Sequence, residues 1–253
     1  MARKKKVTQE ELDSALSGIV HEIRNPLNAL NINNQLLSEY TYLLPDWFEK
    51  KEEMQEIIGS NMRVLSRLND LISEFLRFTR PRKPEFVVTD LNRIVEEVIR
   101  FVEVDFRGRG IKVKFYPGDG SYPVLVDEKM VKQVLLNVLL NAAESLDKEV
   151  KIIKVTSGRK NNDYFVTVKD NGCGIGREER KKVFSVFYTT KSEGSGLGLP
   201  IVQKIMKAHH GNIRLRSRKD KGTEFTLGFL PEDRFRKILS TRNSGVRLPE
   251  VIK

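Results

Sequence analysis

Ser17-Gly18-Ile19-Val20-His21-Glu22-Ile23-Arg24-Asn25-Pro26-Leu27 sits in a stretch whose apolar residues, Leu12, Leu16, Ile19, Ile23, Leu30, Leu37 and Leu44, recur at helical spacing. The spacing predicts one long helix running through Pro26. With Leu16, Ile19, Ile23 and Leu30 as its buried seam, His21 falls at the opposite heptad position and faces solvent, where a nucleophile can be reached. A neutral imidazole nitrogen can attack phosphorus, and the neighbouring Glu22 carboxylate can orient the ring or take its proton. Asn25 lies one turn on, on the same face. An isolated His-Glu pair would read as a surface histidine beside a chance glutamate. Pro26 argues against that: in mid-helix it costs about 3 kcal/mol, which core packing does not explain, and a bend there would let the helix move.

Working outward, Thr8 and Glu11 form a capping box that starts the helix, and Leu44-Pro45-Asp46 ends it. A second periodic run follows through Met54, Ile58, Leu65, Leu68, Ile72 and Phe75, flanked by Ile57, Val64, Leu71 and Phe78. Two antiparallel helices are expected. Each apolar stripe is wider than a two-helix contact covers, so burying both calls for a four-helix bundle made by two chains, a two-fold homodimer. Arg80-Pro81-Arg82-Lys83-Pro84 forbids helix continuation and reads as a connection. The expected division is a hairpin over 1–80, a linker over 81–85, a second domain over 86–230 and a loosely ordered basic tail over 231–253.

The second domain alternates element types, which predicts a mixed α/β architecture. Helices are expected over about 90–106, 128–146 and 197–208, and strands over 111–116, 124–126, 151–156, 164–169, 212–217 and 223–229. On the 128–146 helix, Gln133, Asn137, Asn141 and Glu144 form a polar stripe opposite Val131, Val134, Leu135, Val138, Leu139 and Ala142. Amide oxygens suit Mg²⁺ bridging nucleotide phosphates, although two asparagines one turn apart can equally cap loops. Asp170-Asn171-Gly172-Cys173-Gly174-Ile175 follows a strand; its glycines would let the backbone approach a flat ligand and its carboxylate could accept an amino group. Gly194-Ser195-Gly196-Leu197-Gly198-Leu199 opens a helix whose free amides could meet phosphate oxygens. Neither a Walker ending nor a dinucleotide fingerprint accompanies it. His209 and His210, at a helix end before Gly211, read as capping residues.

The first run, down to its mid-helix proline, resembles the phosphoacceptor motif of two-component sensor histidine kinases. The ordered set of Asn137 and Asn141, the Asp170–Ile175 turn, Phe184 to Phe187 with Tyr188-Thr189-Thr190-Lys191, and the Gly194–Leu199 stretch resembles their ATP-binding domain, of a fold shared with DNA gyrase and heat-shock chaperones. The resemblance spans about Thr8 to Leu230. It implies a helical hairpin forming a dimeric four-helix bundle, followed by an α/β sandwich with a mixed sheet packed on helices. It further implies that His21 is phosphorylated from Mg·ATP and passes the group to an aspartate of a response-regulator receiver domain. Glu22 would be the base or orienting acid, and Asn25 a positioner of water for a phosphatase reaction. Asn137 and Asn141 would stand at Mg·ATP, with Asn137 at the metal, and Asp170 at the adenine amino group. Gly172, Gly174, Gly194, Gly196, Leu197, Gly198 and Leu199 would shape the pocket. Lys191, from its charge and position, would contact phosphate from a lid between Gly176 and Gly194. One residue departs: where many members carry Lys or Arg, three residues after the second asparagine, this chain has Glu144, leaving Lys191 or Arg180 to serve.

Composition bounds the rest. Lys and Arg number 45 against 34 Asp and Glu, a net charge of +11 that favours acidic partners, yet no aromatic-rich basic strip suggests a nucleic-acid surface. The single cysteine, Cys173, excludes an internal disulfide and fits a reducing, cytoplasmic setting; with three histidines it argues against structural zinc. No apolar stretch approaches the ~20 residues of a membrane span. Two rival readings remain at this point: an ATP-driven clamp or scaffold without a reactive histidine, and a nucleic-acid binder.

Overall fold

The computed structural model describes residues 9–79, 84–191 and 194–241, with the backbone alone for 9–22, 24, 74, 76–79, 240 and 241. The chain divides into two compact units, Met1–Arg82 and Lys83–Lys253. The capping threonine, most of the linker and the end of the basic tail lie outside the described residues.

The first unit is a hairpin of α1 (Gln9–Leu43), which continues through Pro26, and α2 (Lys51–Thr79). Lys51, at the start of α2, donates from Nζ to the Leu44 carbonyl at 2.7 Å and to Asp46 Oδ1 at 2.7 Å, placing a cation where the dipole and unpaired carbonyls of α1 end. Within one chain and among the described side chains, the buried positions are Leu27, Asn34 and Thr41 on α1 and Ile58 and Leu65 on α2. The two polar members satisfy themselves on their own helix: Asn34 Nδ2 donates to the Leu30 carbonyl and Thr41 Oγ1 to that of Ser38. Ile58 and Leu65 belong to the expected α2 seam, Leu16 and Ile19 of the α1 seam lie outside the described side chains, and much of the rest of the expected rows is left uncovered within one chain. Ile23, Leu30 and Leu37 are 44%, 49% and 47% exposed, and Met54, Ile57, Val64 and Leu68 are also exposed. Periodicity marks an apolar face but not what covers it, and here the α1 side of the contact within the chain uses a neighbouring, narrower heptad row.

The second unit builds on a five-stranded sheet in the order β2 (Ile111–Tyr116), β4 (Lys151–Lys160), β5 (Asp163–Asp170), β7 (Gly222–Phe229) and β6 (Asn212–Arg218). Only the β2 and β4 pair is parallel; the others are antiparallel. A separate antiparallel pair joins β1 (Val87–Asp90) to β3 (Pro123–Val126). Helices α3 (Leu91–Gly108), α4 (Glu128–Glu144) and α5 (Gly198–Ala208) pack on the larger sheet. The six apolar α4 positions read from the sequence are all buried, joined in the core by Ile94 and Val98 of α3, Val202 and Met206 of α5, and Ile153, Val166, Val168 and Leu227 of the strands. Asp90 caps α3 by accepting from Asn92 N, and Asp127 caps α4 by accepting from Met130 N.

The start of the expected tail is ordered. Glu232–Thr241 forms a helix, α6, whose Phe235 and Leu239 are buried against Phe86, Leu125 and Leu230. Phe86 and Phe235 meet edge to face with centroids 5.1 Å apart. Within the basic composition lie Phe235, Ile238 and Leu239, three apolar residues at i, i+3 and i+4, which is sufficient for a short helix to bury one face.

His209 ties three elements together. Its Nε2 accepts from the buried backbone N–H of Asp127 at 3.0 Å, so Nδ1 carries the proton and donates to the Ile205 carbonyl at 2.9 Å. Asp127 Oδ2 accepts from Glu85 N, at the point where the chain enters the unit. Burial holds the His209 imidazole below its ordinary pKa, outweighing the nearby Ile205 carbonyl and Asp127 carboxylate; His210 adds a small push the same way.

Two outcomes follow for this unit. Phe235→Ala removes a ring that is 1% exposed and should lower its stability by about 3 kcal/mol, read from denaturant midpoints. A depressed imidazole pKa means that the unfolded chain takes up the proton first as pH falls. His209 therefore contributes stability above about pH 6.5, lost toward lower pH. The melting temperature should fall between pH 7.5 and 5.5, with a shallower slope in His209→Gln.

Candidate functional site

Strand β5 ends on Asp170, which is 4% exposed. Its Oδ1 accepts from Gly172 N at 2.9 Å and Thr223 N at 3.1 Å, fastening the following turn and the start of β7 to one carboxylate. Burial pushes its carboxyl pKa up, against the lowering effect of these hydrogen bonds. Asn171 adds a second tie, its Oδ1 accepting from Ile152 N and its Nδ2 donating to the Val150 carbonyl.

The glycines of this turn serve the protein's own backbone. A Cβ on Gly172 would lie 2.2 Å from the Ser145 carbonyl oxygen, which accepts from Cys173 N at the end of α4. One on Gly174, at φ +69°, would lie 2.1 Å from the Arg218 carbonyl oxygen. Both glycines therefore seat the turn against α4 and β6, a structural demand additional to the expected approach of a flat ligand. Gly222, overlooked in the sequence, does the same at φ +88°, 2.1 Å from the Asp170 carbonyl oxygen. The Gly222-Thr223 pair at the head of a strand was its only signal.

On α4, Asn137 and Asn141 stand half-buried beside the first residue of α5. Asn137 Nδ2 donates to the Gly198 carbonyl at 3.2 Å, so its amide oxygen is the atom it can offer a hard cation. Lys191 Nζ donates to Asn141 Oδ1 at 3.2 Å and also pairs with Glu144. The loop presenting Lys191 is closed where Phe187, at φ 64°, donates from its N–H to the Gly196 carbonyl at 3.1 Å. Thr189 Oγ1 accepts from Lys191 N within it.

Thus Asn137, Asn141, Lys191, Gly196 and Gly198 come together, with Asp170, Gly172 and Gly174 at the C-terminal end of α4. Leu197 is 0% exposed and its side chain serves the core, while Leu199 and Gly194 are half-buried. Arg180, the other candidate cation, is exposed on a turn after Gly176. Asn25 is exposed on α1; His21 and Glu22 are on the same helix, with side chains outside the described residues.

Residues 126–234 match the family of histidine kinase-, DNA gyrase B- and HSP90-like ATPases, and residues 11–84 match the His Kinase A (phospho-acceptor) domain. The solved catalytic domain of histidine kinase ThkA is 34% identical, with a TM-score of 0.55 over 60% of this chain and 99% of that one. The chain belongs to the histidine kinases. Its second unit is accordingly an ATP-binding domain of the histidine kinase, gyrase and HSP90 type. The signal transduction histidine-protein kinase AtoS of Escherichia coli K12 is 34% identical over 85% of this histidine kinase chain, which spans 34% of the length of AtoS. A structure of ThkA in complex with response regulator protein TrrA matches with a TM-score of 0.63 at 29% identity, over 89% of this chain and 64% of that one. Among the described residues no helix is long and apolar enough to cross a membrane.

Asp170 separates folding from recognition. Asp170→Ala leaves two buried N–H groups without an acceptor and should cost about 2 kcal/mol or more by denaturant unfolding. Asp170→Asn keeps an acceptor oxygen at that position and should be markedly more stable than the alanine variant.

Proposed function

We propose that this chain is the catalytic core of a sensor-type kinase that phosphorylates its own His21 from Mg·ATP and passes the phosphoryl group to an aspartate of a receiver domain. The observation that carries this is the convergence of Asn137, Asn141, Lys191 and the start of α5, with buried Asp170 holding the turn that packs against the C-terminal end of α4. Asp170 would accept from the adenine amino group, and Asn137, Asn141, Lys191 and the amides near Gly196 and Gly198 would surround the phosphates. The Asn137 oxygen suits Mg²⁺, which when bound would neutralise charge across the phosphates. In the phosphorylation step a His21 ring nitrogen bonds to the γ-phosphorus, the bond to the ADP oxygen breaks, and Glu22 takes or steers the ring proton. Asn25, one turn on, would orient water for hydrolysis of the phosphorylated receiver.

The hairpin would be a homodimerisation element, over about 1–80, joined by a linker over 81–85 to a catalytic unit that includes α6. The exposed rows Ile23, Leu30, Leu37 and Ile57, Val64 support this, because a second hairpin would remove them from water. The named complex of ThkA with TrrA supports a receiver-domain partner. The ATP requirement and the unpaired Cys173 support a cytoplasmic setting.

Incubation with γ-labelled ATP and Mg²⁺ should give acid-labile, alkali-stable label at His21. His21→Ala should abolish it, and Asp170→Asn should weaken ATP binding more than tenfold while remaining folded. Label that survives His21→Ala would refute the reading.

A further inference from the structure

The departure at position 144 acquires a partner in the structure. Glu144 lies on the polar stripe of α4, seven residues after Asn137 and three after Asn141, and its carboxylate pairs with Lys191. The same Nζ donates to Asn141 Oδ1 at 3.2 Å. Lys191 is thereby bound to one residue that would repel phosphate and to another whose oxygen would otherwise be open to a cation. The pair is also accessible, with side chains 36% and 47% exposed for lysine and glutamate. Ion pairs this wet are weak and exchange partners at little cost. The contact is suited to being broken by a competing anion.

We propose that Glu144 is a specificity-determining residue that sequesters Lys191 in the empty site and makes nucleotide binding contingent on a divalent cation. This rests on the reading of the pocket as an ATP site. A metal-free triphosphate must draw Lys191 away from Glu144 and then lie beside a bare carboxylate. A triphosphate carrying Mg²⁺ brings its own positive charge, which reduces the repulsion and offers the Asn141 oxygen a replacement for the lysine. Lys191 then turns from Glu144 to phosphate. A neutral or basic residue at 144 would leave Lys191 available to either form of the nucleotide, and discrimination between them would shrink.

Titration calorimetry of the full chain with the β,γ-imido analogue of ATP, in EDTA and in excess MgCl₂, tests this. Glu144→Gln should bind the metal-free analogue roughly three- to tenfold more tightly than wild type, the size expected for removing one charge about 4 Å away in a wet site. That charge is the partner of the Lys191 ammonium, whose release to phosphate supplies most of the gain, and the difference should narrow in MgCl₂. Glu144→Lys should show the same change, larger. In a Lys191→Met background the gain from Glu144→Gln should fall by at least half, because the carboxylate acts largely through that lysine. An unchanged or weakened metal-free affinity in Glu144→Gln would overturn the proposal, as would an equal gain with and without Lys191. Absence of binding by every form, wild type in MgCl₂ included, would instead overturn the ATP-site reading itself.

Discussion

The register of α4 against α5 governs the second unit, and two hydrogen bonds at different points along α4 fix it. Asp127 N donates to His209 Nε2 just before α4 begins, and Asn137 Nδ2 donates to the Gly198 carbonyl ten positions later, about 15 Å along the axis. The apolar face of α4 is fully buried, with Val131, Val134 and Val138 at 0% exposure. Rotating the helix by one position would expose several such side chains, each worth about 1.5–3 kcal/mol, which outweighs any polar contact on the other face. The core therefore aims the asparagines, and the Asn137 bond then sets where the glycine-rich start of α5 lies. Asp127 completes the arrangement by accepting from Glu85 N, so the residue that caps α4 also anchors the incoming chain.

The hairpin obeys a different constraint. Two helices share one line of contact, and here that line holds Leu27 with two polar residues that bond to their own helix, against Ile58 and Leu65. Among the described side chains this is a narrow apolar contact for helices 35 and 29 residues long. Meanwhile a row of larger apolar side chains, Ile23, Leu30 and Leu37, remains half in water. The proposed homodimer would remove that row from water by packing it against the same face of a second hairpin.

What the sequence displayed and what it hid follow from the range of the interactions involved. Helix extents, the buried face of α4 and the turn after β5 depend on neighbours within a few residues, and their patterns could be read directly. The close approaches of Gly172 and Gly174 are to the carbonyls of Ser145 and Arg218, far away in the chain, so the backbone packing that demands glycine there could not be read locally. Position 222 is silent for the same reason. Helix α6 is masked by its basic composition: Phe235, Ile238 and Leu239 stand at helical spacing but over too few residues to outweigh it, although Phe86 and Leu125 make Phe235 and Leu239 part of a core. On α1 the apolar row Ile23, Leu30 and Leu37 was legible in the sequence, and it stays exposed within one chain, as a stripe wider than a two-helix contact requires.

The two ends of the site differ in their physical chemistry. At Asp170 the contacts are backbone N–H groups, and burial pushes the carboxyl pKa up. A buried acceptor held by fixed amides selects partners by hydrogen-bond geometry, because a misplaced donor leaves desolvated polar atoms unpaired. At Lys191 and Glu144 the groups are charged, half exposed and on a loop, so their interaction is long-ranged, screened and easily redirected. In an ATP-binding domain this separates recognition from response. On the proposed reading, the Asp170 end would select a base by hydrogen-bond geometry, while the exposed Lys191–Glu144 pair would answer to the charge that the phosphates bring.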